Sequence, residues 1–94
     1  MAHEGVVWDD KDPVEVLDYE LTWANRLAEG EVIETVVHTM DGGLVLESED
    51  HTDNTTTVKV SGGTLGKTAA VEVTVTTNQG RIMRKTACLN IHKQ

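Results

Sequence analysis

The octapeptide SGGTLGKT, residues 61–68, comes within one residue of the phosphate-binding pattern G-x-x-x-x-G-K-[ST]. Gly66, Lys67 and Thr68 stand in place, and Ser61 takes the position of the first glycine. A working loop of that kind needs a helix starting at the lysine, so that backbone amides and the helix dipole converge on the phosphates. Thr68 leads instead into AAVEVTVTT, with Val71, Val73 and Val75 separated by Glu72 and Thr74. β-branched residues at period two build a strand. No apolar strand ending in Asp is present to hold magnesium, so the octapeptide is expected to be a turn in which Gly62, Gly63 and Gly66 supply positive φ.

Other residue types that could carry chemistry fall into weaker patterns. Glu47, Glu49, Asp50, Asp53 and Asn54 offer oxygen ligands suited to calcium, but the glycine and closing glutamate of an EF-hand loop are missing. A solvated polar loop over residues 47–54 is the expectation. His3, His38, His51 and His92 have neither the helical i, i+4 spacing nor the Cys/His clustering of a zinc site, and they are expected at the surface. Ser48 and Ser61 lie outside any G-x-S-x-G context, and Cys88, in the run TACLNI, reads as a small buried hydrophobe. Neither a catalytic group, a cofactor nor a metal ligand is expected.

The elements that hold these residues are short strands. Within VEVLDYELTW (14–23), Leu17, Tyr19, Leu21 and Trp23 share one face and Asp18, Glu20 and Thr22 the other. ANRLAEGE allows a turn or two of helix. Ile33, Thr35 and Val37 then share a face, and after the turn Asp41-Gly42-Gly43 so do Leu44 and Leu46. Thr56, Val58 and Val60 alternate with Thr55, Thr57 and Lys59. Asn78-Gln79-Gly80 links the valine strand to a last one carrying Ala87, Leu89 and Ile91. The expected fold is all-β: an immunoglobulin-like antiparallel β-sandwich of six to seven short strands over residues 13–94, preceded by an N-terminal arm over residues 1–12. Its core is expected to comprise Leu17, Tyr19, Leu21, Trp23, Ile33, Val37, Val58, Val60, Val71, Val73, Val75, Leu89 and Ile91.

Size and charge narrow the function. Ninety-four residues make one domain, and aromatics at 3% leave a thin aliphatic core. Sixteen acidic residues against eight basic ones give a net charge of −8, which repels nucleic acid and anionic membranes alike. No apolar run approaches the ~18 residues of a membrane span, and MAHEGVVWDDKD lacks the pattern of a secretory signal. The chain reads as a soluble protein made in a cytoplasm.

Two stretches, DYELTWANRLAEGEVIETV and SGGTLGKTAAVEVTVTTNQGRIMRKTACLNI, resemble the small fiber-tail adaptor or head-tail connection proteins of tailed bacteriophages. The similarity runs from about Val14 to Ile91, and its most specific pieces are Asp18-Tyr19-x-Leu21-x-Trp23 and Ser61-Gly62-Gly63-x-x-Gly66. Ala69 and Val37 stand where such proteins usually carry aromatics, which implies a thinner, repacked core. The resemblance implies a non-enzymatic virion protein, made in the host cytoplasm. Several symmetric copies would join or decorate portal, connector, tail, fiber or capsid parts by contact.

Val6, Val7 and Trp8 are the expected partner-binding residues, with Trp8 equally able to fold back on its own sandwich. Removing residues 1–12 is expected to leave a folded domain. The other reading is a carbohydrate- or cell-surface-binding β-module, for which Trp8 and Trp23 are the rings that could stack on a sugar.

Overall fold

Alternation along residues 68–77 decides the architecture. Ala69, Val71, Val73, Val75 and Thr77 are all buried, while Thr68 before them and Glu72 between them are exposed. In the computed structural model, which describes residues 6–93, this segment is a central strand with a neighbour on either side. Seven strands are present among the described residues: β1 (Val6–Val7), β2 (Leu17–Thr22), β3 (Ile33–Met40), β4 (Leu44–His51), β5 (Thr55–Gly62), β6 (Thr68–Thr77) and β7 (Ile82–Asn90). A single 3-10 turn, Ala24–Arg26, comes after β2.

The strands form two sheets, ordered β1-β7-β6-β3 and β2-β5-β4. The pairs are antiparallel except β1 with β7, which is parallel. This is the expected all-β sandwich, with one layer of side chains between the sheets. Trp23, Val58, Val60, Val71, Val73, Val75, Leu89 and Ile91 fill it, at 1% exposure or less.

The expected core needs one correction. Val37 is 54% exposed, and Val36, His38 and Met40 turn inward instead. The cause is a register shift against β6 between Ile33 and Thr35. One extra residue in a strand reverses which side chains face the core beyond it. A second shift, between Leu46 and Ser48 on β4, lies next to Leu46, which is 39% exposed although it comes two positions after the buried Leu44.

The segment expected as an arm belongs to the sandwich from Val6 onward. Val6 and Val7 pair with Ala87 and Cys88, and Lys11 bridges to Ile91. The amide of Trp8 donates to Cys88 O at 2.8 Å, and that of Lys11 to Asn90 O at 3.0 Å. Trp8 stacks on Tyr19 with ring centroids 4.7 Å apart and planes 10° from parallel. The Tyr19 hydroxyl donates to Asp9 O at 3.0 Å. Burial, reinforced by Asp9, Glu15 and Asp10 nearby, pushes its pKa up to about 12.

Lys11 is fully buried, and its ammonium donates to Gly62 O at 2.5 Å and Asp12 O at 3.0 Å. Burial pulls its pKa down while Glu15 and Asp12 pull it back up. Residues 1–5 and 94 lie outside the described residues.

Two outcomes test this packing by thermal and chemical denaturation. Val73→Ala, at a fully buried site, costs about 1–3 kcal/mol. Trp8→Ala costs about 3–5 kcal/mol, whereas Trp8→Phe keeps a ring against Tyr19, gives up part of the buried indole and an N–H that has no hydrogen-bond partner in the protein, and should cost less. Deleting residues 1–12 removes Val6, Trp8 and Lys11 from the sandwich. The truncated chain should therefore melt far below the full chain, against the expectation that it stays intact.

Candidate interaction surface

The glycine octapeptide is placed where its amides are already committed. Ser61 and Gly62 end β5, Thr68 opens β6, and a turn lies between. Gly62, Gly63 and Gly66 have φ of 71°, 107° and 83°, the left-handed values expected of them. The amide of Gly63 donates to Gly43 O, that of Thr64 to Gly42 O, that of Gly66 to Ile91 O and that of Lys67 to Thr64 O, at 2.8–3.0 Å. A phosphate would have to displace these bonds. A side chain at 63 would meet Ile91 Cδ1 at 2.9 Å, so close packing as well as φ demands glycine there. The loop ties the β3–β4 corner and the end of β7 together.

The acidic run is strand more than loop. Glu47 to His51 belong to β4, and only residues 52–54 turn. Glu47 accepts the Ser61 hydroxyl at 2.6 Å, while Glu49 faces inward opposite Val58. There Glu49 accepts the backbone amide of His38 at 3.0 Å and meets His38 Nδ1 at 2.8 Å.

His38 itself is buried, contrary to the surface placement expected of it, because the β3 bulge turned it inward. His51 Nδ1 lies 3.0 Å from Thr52 O, and His92 Nε2 lies 3.7 Å from Asp10. His3 lies outside the described residues. No group of three or more His, Cys, Asp or Glu suited to a metal occurs among the described residues.

Cys88 is half-buried on the outer side of β7, between the inward Ala87 and Leu89, and so is less buried than the small hydrophobe expected.

A buried network absent from the motif reading surrounds Glu31. Its carboxylate accepts the amide of Ala28 at 2.9 Å, the hydroxyl of Thr77 at 2.7 Å and Arg81 Nη1 at 2.7 Å. Those bonds, the Ala28 amide foremost, hold its pKa below the ordinary carboxylate value. Glu31 precedes β3 and Arg81 precedes β7, so the pair clamps the two outer neighbours of β6 at one end.

What remains for contact is two unlike faces. Outward from β2-β5-β4 point Asp18, Glu20, Glu47 and Asp50 against the single base Lys59. Outward from β1-β7-β6-β3 point threonines (Thr35, Thr39, Thr74, Thr76, Thr86) with the exposed Val7, Val37 and Ile82. The two charges borne on its strands, Glu72 and Arg84, face each other at 4.0 Å. A shallow depression of about 310 Å³ lies on it, lined by Thr39, Met40, Asp41, Ala70, Glu72 and Thr86. Of the expected partner-binding residues, Val7 stands 81% exposed on this face, Val6 is half-buried, and Trp8 is buried against Tyr19.

The family model described as podophage GP4 fiber-tail adaptor protein gp77 matches residues 11–90. The chain belongs to that family. No curated protein matches it at a significant level. The adaptor family is one of phage structural proteins, in line with the resemblance carried by Asp18-Tyr19-x-Leu21-x-Trp23 and the glycine loop. The match starts at Lys11, the residue whose side chain reaches the loop through Gly62 O, and ends at Asn90, which closes β7.

Two measurements check these placements. ATP with magnesium should release no heat of binding on titration, and a micromolar affinity would contradict the committed amides. Glu31 has a lowered pKa in the folded chain, so its stabilisation is fully present above the ordinary carboxylate pKa and is lost as pH falls through the folded value. Wild type should therefore melt above Glu31→Gln at neutral pH, with the gap closing in acid below about pH 4.5, the ordinary value.

Proposed function

We propose that this chain is a non-enzymatic part of the virion that joins tail and fiber components by protein–protein contact, in several copies per particle. The observation that carries the reading is the family match over nearly the whole sandwich. Two outer faces of different chemistry support it, since a joining protein must meet two unlike neighbours. The acidic β2-β5-β4 face suits a partner with basic residues, and electrostatic complementarity of that kind gives fast and selective docking. Val7 adds an apolar contact on the other face, and Val6 and Trp8 act by holding the strand that presents it.

On this proposal the sandwich is immunoglobulin-like. The strand order supports it, in that β2-β5-β4 corresponds to the B-E-D sheet and β7-β6-β3 to the G-F-C sheet of that architecture.

The carbohydrate-binding alternative loses its platform. Trp8, Tyr19 and Trp23 are all the aromatics of the chain, and they are 8%, 8% and 0% exposed. No ring is presented for a sugar to stack on.

The test is composition. Gradient-purified particles should contain the chain in fixed stoichiometry with tail proteins by quantitative mass spectrometry. Its absence from them would overturn the assignment. Replacing Asp18 and Glu20 by lysine should lower incorporation while leaving the melting temperature within a few degrees, because both side chains are exposed.

A further inference from the structure

We infer that the outer face of the β1-β7-β6-β3 sheet is a self-association surface, on which a second copy of this chain docks about a two-fold axis. The inference concerns the isolated protein and does not rest on its place in a virion.

Charge selects the occupant. Each copy carries a net charge of −8, so two copies approaching at random repel. Outward-facing acids crowd the β2-β5-β4 face, and more lie along the edges and ends. The strands of the β1-β7-β6-β3 face carry one acid and one base, with the exposed Asp41 at the corner of the depression, and otherwise present threonine, alanine, Cys88, Asn90 and exposed valine and isoleucine. It is the sheet face on which two like-charged copies bring the fewest like charges together.

The face is also self-complementary. Glu72 and Arg84 lie diagonally on neighbouring strands, Glu72 opposite Thr86 and Arg84 opposite Thr74. Their mutual distance of 4.0 Å, with side chains 48% and 62% exposed, leaves both with hydrogen-bonding capacity. A two-fold axis running between them in the plane of contact sets Glu72 of one copy over Arg84 of the other, twice. An isologous contact requires such a residue pair that exchanges under the symmetry. The same operation lays the exposed apolar residues Val37 and Ile82 into the interface.

Edge-to-edge pairing, the other way for sheets to associate, is obstructed. The amide of His38 on edge strand β3 is held by Glu49, and Thr22 O on edge strand β2 accepts Lys85 Nζ at 2.9 Å. β4 is interrupted by its bulge and carries Glu47, Glu49 and Asp50. β1 is two residues long.

From strand spacing and rise the face measures roughly 500 Å² per copy, below the ~800 Å² per partner of a standard stable interface. The association is therefore weak in solution and gains strength only where copies are held side by side.

Sedimentation equilibrium of the full-length chain over micromolar to millimolar concentration tests this. A reversible monomer–dimer equilibrium is expected. Arg84→Glu and Glu72→Lys, each made alone, place like charges face to face and should weaken dimerisation about tenfold or more. The double exchange Glu72→Lys with Arg84→Glu should restore it to within about threefold, which a loss of folding could not do. Asp18→Lys on the acidic face should leave it within about threefold of wild type.

A chain that stays monomeric at millimolar concentration would overturn the inference, as would single exchanges without effect or a double exchange that fails to rescue. The adaptor reading stands or falls separately, since a monomer in solution that is still found in virions removes only this surface. A dimer absent from virions removes only the adaptor.

Discussion

Strand β6 is bonded on both sides and buried on one, and its register sets that of its sheet. With Val71, Val73 and Val75 fully buried, a slip of one residue against either neighbour would turn that row to solvent and bring Glu72 and Thr74 inside. Burying three valine side chains is worth about 1.5–3 kcal/mol each, so the penalty for slipping is large compared with the marginal stability of a domain this size. The pairings with β3 and β7 are set by it, and β7 in turn receives β1. The second sheet packs Tyr19, Leu21, Val58 and Val60 against the surface so formed.

A thin aliphatic core makes the few large side chains decisive at its ends. Trp8 and Tyr19 stack at one place, and the Trp23 indole N–H donates to Thr56 Oγ1 at 3.1 Å elsewhere, with Lys85 Nζ 4.9 Å above its ring. Polar groups close the remaining openings: Lys11 on the carbonyl of Gly62, Glu31 on Thr77 and Arg81, Glu49 on His38. The first two tie together strands that are not neighbours in sequence, and the third joins the two sheets across the β3–β4 corner. Because these groups are consumed in holding the sheets, chemistry is left to the outer faces, and there the residues are suited to contact.

Period-two alternation made β2, β5, β6 and β7 legible in the sequence, since their inward residues are mostly apolar, with Thr56, Thr77 and Lys85 as the exceptions. The glycine loop was legible because a strand comes after Lys67. Strand β3 was misread in its second half: ETVVHT contains adjacent valines, and nothing in the residue types says that a bulge selects Val36 rather than Val37. β4 hid for a related reason, as ESED has no apolar alternation and reads as loop although it is held by β5. The arm was misjudged because a two-residue strand and a buried lysine carry no periodic signal. The Glu31 clamp joins residues fifty apart, and a Gly-Glu step before a strand gives no hint of a partner. The threonine-rich outer face was implicit in the alternation of β6, but only the register shows that Glu72 and Arg84 are neighbours.

The parallel pairing of β1 with β7 has a mechanical meaning. In a parallel pair, tension applied to the chain before β1 and after β7 pulls the two strands lengthwise past each other. The bonds from Trp8 N to Cys88 O, Lys11 N to Asn90 O and His92 N to Lys11 O then bear the load together instead of opening one after another. Lys11, anchored on Gly62 in the opposite sheet, resists the same sliding from the side. Resistance to a pull is governed by the rate of forced opening and not by equilibrium stability. A small sandwich with a modest core thus holds against stretching along the axis of its terminal strands, and gives way more readily to a force that peels β1 outward.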